Sequence, residues 1–117
     1  MRRRTWTKSQ KLEVYSKTEG HCAYCGVGLR LDEMRLDHVV SLHNHGADEL
    51  SNLMPACQQC NYYKKGCNPD GFRKKLKKAF RRERKSEYVQ RLQAKYGDDW
   101  DGLFYFERMN HGIRNCI

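Results

Sequence analysis

The chain has 117 residues, 38% of them hydrophobic, and a mean hydropathy of −0.97. That fits one domain with a modest core and leaves no run long enough to span a membrane. The net charge of +9 disfavours basic partners and points to a polyanion, with nucleic acid favoured over a membrane surface. There are six cysteines, but no apolar stretch follows the basic start Met1-Arg2-Arg3-Arg4-Thr5-Trp6. A reduced, cytoplasmic protein whose cysteines bind metal is therefore expected rather than a disulfide framework.

In chain order, residues 7–17 predict a helix with Thr7 as N-cap, Gln10 closing a capping box and Leu12, Val14 and Tyr15 as its apolar stripe. Gly20 ends it. Residues 34–40 alternate as a strand, with Met34, Leu36 and His38 on one face and Arg35, Asp37 and Val39 on the other. A loop over residues 43–48 leads to a second short strand, 53–56, which Pro55 confines to an edge. Residues 57–65 read as a turn into a short helix that Gly66 stops.

Asn68-Pro69-Asp70-Gly71 reads as a breaker. Residues 72–96 then read as helical, with stripes Phe72, Leu76, Ala79, Phe80 and Tyr88, Val89, Leu92, Tyr96, and a break at Ser86. Leu103-Phe104-Tyr105-Phe106 is expected to pack back on the core. The fold class is thus α+β: an N-terminal helix, a zinc-stabilised core over 7–66 and a basic helical extension over 70–117 packing on it, all in one domain over 1–117.

The strongest motif is a pair of C-x-x-C knuckles, Cys22/Cys25 and Cys57/Cys60. Four thiolates complete a closed tetrahedral site, the arrangement of structural zinc. Such a zinc has no open position for water, so hydrolysis would need a second ion. Asp37 and Asn61 offer hard oxygen ligands suited to magnesium or manganese, and His38 has the side chain of a general base near neutral pH. His43 and His45 lie in an exposed loop; His21 and His111 read as bystanders, Cys67 and Cys116 as free thiols.

Charge is uneven along the chain: the stretch from Arg73 to Lys85 carries nine Lys/Arg and one acid, Glu83. Arg73, Lys74, Lys75, Lys77, Lys78, Arg81 and Arg82 are the expected phosphate contacts, giving affinity and salt dependence with little sequence information. Arg2, Arg3 and Arg4 read as a basic arm or a disordered end.

The order Cys22-x-x-Cys25, Asp37-His38, Gly46, Asn52-Leu53, Cys57-x-x-Cys60-Asn61-x-x-Lys64 resembles the HNH nuclease family with its ββα-metal fold, over about residues 10–66. Tyr24 and Gly26 also look like that family. The resemblance implies a metal-dependent endonuclease acting on DNA, expected double-stranded, in a bacterial or phage-infected cell. His38 would take the proton of the attacking water, and Asp37 and Asn61 would hold the catalytic divalent ion. Asn52 would tie the loop and orient the His38 ring. Lys64, with Lys65 beside it, would sit near a phosphate or support the helix.

Departures from the pattern are Ser41 where proline is frequent, the loop His43-Asn44-His45-Gly46 where two glycines are frequent, and Asn61 in place of histidine. One site cuts one strand, so a monomer would nick and a homodimer could break both strands. The alternatives are an inactive zinc-stabilised nucleic-acid-binding module and a nuclease on RNA.

Overall fold

The computed structural model describes residues 5–110; the arm at residues 2–4, His111 and Cys116 lie outside the described residues. Helix α1 spans Lys8–Ser16 and starts as its sequence dictates. The Gln10 N–H donates to Thr7 Oγ1 at 3.2 Å and the Thr7 N–H donates to Gln10 Oε1 at 2.9 Å, a reciprocal cap that satisfies two otherwise orphaned donors. Its apolar stripe is narrower than expected. Val14 is fully buried against Trp6 and Leu53, whereas Leu12 is left exposed.

Strands β1 (Arg35–His38) and β2 (Leu53–Ala56) form a two-stranded antiparallel sheet with Asp37 opposite Met54 and His38 opposite Leu53. Both strands are four residues, shorter on the β1 side than the alternation suggested. The pleat sends Leu36 and Met34 toward the α1 cluster and Asp37 to the other side, where α2 (Gln58–Lys64) crosses. These three elements are the ββα core.

Between the strands, the loop closes through Gly46. A Cβ there would meet the Val40 carbonyl oxygen at 1.8 Å, so only glycine fits this close approach. Asn52 staples the same loop. Its Nδ2 donates to Val40 O and Ala47 O, both at 2.8 Å, and its Oδ1 accepts from the Val40 N–H at 3.0 Å.

Helix α3 spans Pro69–Phe80, earlier than the breaker reading allowed. Proline costs nothing at the first helical position, where its missing N–H would have no partner, and its fixed φ suits the helix. Ser86 caps α4 (Glu87–Tyr96), its Oγ accepting from the Val89 N–H at 3.2 Å. The last element is α5 (Tyr105–Asn110). Phe72, Leu76 and Ala79 of α3, Tyr88, Val89 and Leu92 of α4, and Trp100 and Phe104 form one buried cluster with both knuckles. The basic segment therefore brings its own apolar face to the metal-binding end of the molecule. None of the described helices is long and apolar enough to cross a membrane.

Candidate metal centre and active site

The two knuckles meet as the spacing demanded. The Sγ atoms of Cys22, Cys25, Cys57 and Cys60 all lie within 4.8 Å of one another. Tetrahedral zinc with Zn–S near 2.3 Å separates its sulfurs by about 3.8 Å; Cys25 and Cys57 Sγ stand 3.9 Å apart. The four cysteines therefore fit a zinc ion.

Donors surround the sulfurs. The Cys57 N–H points at Cys22 Sγ and the Cys60 N–H at Cys57 Sγ, both at 3.3 Å. The Tyr88 hydroxyl donates to Cys60 Sγ at 3.1 Å and the Arg91 guanidinium approaches Cys25 Sγ at 3.5 Å. Hydrogen bonds of this kind orient ligands and stabilise thiolate charge. Among themselves the thiols titrate unequally. Hydrogen bonding with Cys22 draws Cys57 down to about 7 and, with Cys57, Cys60 and Arg91, holds Cys25 far below an ordinary thiol. Cys22 and Cys60 are pushed up.

Tyr88 and Arg91 escaped the sequence reading. They lie beyond a turn and a whole helix from the knuckles, and no spacing rule links them. His21, read as a bystander, is part of the first knuckle: its Nδ1 is 2.9 Å from the Gly26 carbonyl, and its ring tilts against Tyr105.

On the far side of α2, a cleft of about 250 Å³ is lined by Asp37, His38, Ser41, His43, Asn61 and Lys65, among others. It holds Asp37 and His38 from the end of β1 and Asn61 from the first turn of α2. Asp37 is only 3% exposed, and its two oxygens have separate surroundings. Oδ2 accepts from the Tyr24 hydroxyl at 2.5 Å and pairs with Lys64 Nζ at 3.3 Å. Oδ1 faces the Asn61 side-chain amide at 3.2 Å. Burial, and the Asp37 charge beside it, push the Tyr24 phenol well above its ordinary value, so it remains a donor to the carboxylate.

Turning the Asn61 amide over brings its oxygen beside Asp37 Oδ1. Two protein oxygens at one rim, with room left for water or phosphate, fit the ligand set of magnesium or manganese. The His38 ring is mostly enclosed and its Nε2 lies 2.9 Å from Asp48 Oδ1. Asp48 was not singled out from sequence, where a carboxylate in a polar loop carries no signal.

Three of the expected phosphate contacts, Lys64, Arg73 and Lys75, have partners within the protein. Lys64 is fully buried. Its Nζ donates to the His38 carbonyl at 3.0 Å and pairs with Asp37, so it supports β1 from beneath, the second of the two roles expected for it. Arg73 ties α3 to the C-terminal segment through Gly102 O and Glu107, and pairs with Asp70 within α3. Lys75 is half-buried, donating to Tyr63 O at 2.8 Å. Lys65, Lys74, Lys77, Lys78, Arg81 and Arg82 remain exposed.

Lys64→Met is expected to destabilise the protein by about 3–5 kcal/mol, the usual cost of leaving a buried charge without its partner. Chemical denaturation measures this. A loss below about 1 kcal/mol would show that Asp37 is compensated by other groups.

Residues 22–65 match the family model of the HNH endonucleases. No curated protein matches the chain. Among solved structures, the fold is similar to part of the Type II-C Cas9 enzyme from Actinomyces naeslundii, with a TM-score of 0.51 and 20% identity over 80% of this chain. The chain spans 11% of the length of that enzyme, and at that identity the likeness is one of fold.

Proposed function

From the match of residues 22–65 to the HNH endonuclease family model, we propose that the protein is a divalent-metal-dependent endonuclease that hydrolyses DNA phosphodiester bonds. The observation that supports this best is the single cleft holding Asp37, His38 and Asn61. Asp37 and Asn61 would hold a magnesium or manganese ion there, and the chemistry it would supply is Lewis-acid polarisation of the scissile phosphodiester.

The rest falls to the chain's own side chains. His38 is the general base. A proton on Nε2, facing Asp48, leaves Nδ1 as the basic nitrogen of the neutral ring. Asn52 holds the loop that carries the segment after His38, its backbone oxygen accepting from the Val39 N–H at 2.9 Å. Tyr24 and Lys64 pin Asp37 Oδ2, which leaves Oδ1 and Asn61 directed at the cleft. Zinc at the four cysteines has a structural role, because α2 starts at Cys57 and carries Asn61. Lys65 at the cleft and the exposed Lys74, Lys77, Lys78, Arg81 and Arg82 supply positive surface for phosphates.

The test is end-group analysis of the products. Water attack with departure of the 3′ oxygen leaves a 5′-phosphate and a 3′-hydroxyl, so nicks made with magnesium or manganese should reseal directly with DNA ligase. Nicks that reseal only after phosphatase and kinase treatment would contradict this chemistry.

A further inference from the structure

Helix α2 divides its residues sharply. Cys60 and Lys64, one turn apart, are fully buried, and Tyr63 packs on Phe72 and Tyr88. Asn61 turns to Asp37. Tyr62, the neighbour of Asn61, is instead 71% exposed, the most exposed of the large hydrophobic side chains among the described residues. The core does not use its ring.

That ring stands in a shallow groove of about 430 Å³ lined by Arg35, Gln58, Gln59, Asn61 and Tyr62. The groove shares Asn61 with the Asp37–His38 cleft. No acidic side chain lines it, and Lys65 Nζ sits 5.2 Å from the Tyr62 ring centroid. Arg35 and Asp37 are two apart on β1, so their side chains leave the same face about 6.8 Å apart along the strand. One nucleotide of sugar–phosphate backbone covers that distance. A phosphate at the Asn61 amide, which the two clefts share, would place the next phosphate at Arg35 and the intervening base over Tyr62.

Resting on the nuclease reading above, we infer that Tyr62 and Arg35 form a subsite for an unpaired nucleotide next to the scissile phosphate. The enzyme's substrate class would then be DNA with single-stranded character at the cut. The charge fits a phosphodiester, because Arg35 and Lys65 are cationic and nothing in the groove opposes them. The aromatic face fits a base of any identity, because stacking is indifferent to sequence. In an intact duplex the bases are stacked on one another and Tyr62 has no partner.

The experiment measures dissociation constants by fluorescence anisotropy, in buffer without magnesium or manganese. The probes are a labelled single-stranded oligonucleotide and the blunt duplex of the same sequence. The proteins are wild type, Tyr62→Ala and Tyr62→Phe, with thermal melting as the folding control. Tyr62→Ala should weaken single-strand binding by roughly 5- to 100-fold, the range of one base–aromatic stack. Tyr62→Phe should bind as wild type does, and duplex affinity should change little in either variant. Equal single-strand affinity for Tyr62→Ala and wild type would overturn the inference, as would equal losses on both probes. If wild type still cleaves DNA in that case, the nuclease reading stands and only the subsite falls. A wild type that neither binds nor cleaves either probe overturns both.

Discussion

Replacing Cys57 by serine is expected to cost the protein its zinc and its fold together. Zinc binding to small four-ligand sites carries on the order of 10–16 kcal/mol of apparent free energy, much of it realised as folding. Typical domain stability is only about 5–15 kcal/mol. The cost is unusually direct here. Cys57 is the N-cap of α2, with its Sγ accepting from the Cys60 N–H, and its own N–H bonds Cys22 Sγ. The substitution therefore loosens the helix start and the link between knuckles along with the metal. Metal analysis and far-UV circular dichroism of the purified variant check this. A folded, zinc-free variant with wild-type stability would show that the cluster is not the organising centre of the core.

His38→Ala is expected to lower the cleavage rate by about 10²–10⁴-fold, the usual contribution of a positioned general base, with zinc content and melting temperature close to wild type. The structure separates the two effects. The buried Lys64 ammonium reaches the backbone carbonyl of His38, a contact that alanine keeps. The imidazole's own hydrogen bond is to Asp48, and neither residue belongs to either hydrophobic cluster. Single-turnover kinetics beside calorimetry checks this. Cleavage within a few-fold of wild type would remove His38 from the base role.

The cysteine cluster was legible because chemistry dictates its spacing. Two C-x-x-C pairs can close on one ion, and the four sulfurs do cluster, while Asp37-His38 and Asn61 lie on the two elements, β1 and α2, that such clustering brings together. The capping box at Thr7 and the cap at Ser86 were equally readable, because each is decided within four residues. What the sequence hid is what depends on burial. Lys64 looks like any surface lysine in a basic chain until α2 is docked, when it becomes the counter-ion of Asp37 beneath the sheet. Tyr62 and Tyr63 are indistinguishable in a line of letters, yet one is core and the other faces solvent. Pro69 reads as a stop when only its neighbours Asn68 and Gly71 are weighed, although proline is at home in a first turn. Tyr88 and Arg91 touch the cysteines only because α3 and α4 fold back, a long-range event with no local signature.

The most direct test of the central claim is conversion of supercoiled plasmid by wild type and His38→Ala, each with magnesium, manganese or chelator. Nicked or linear DNA from wild type alone, only with a divalent ion, is the predicted result, and the ratio of nicked to linear product reports whether one strand or both are cut. DNA binding without cleavage in any metal would contradict the account and point instead to a zinc-stabilised binding module or to an RNA substrate.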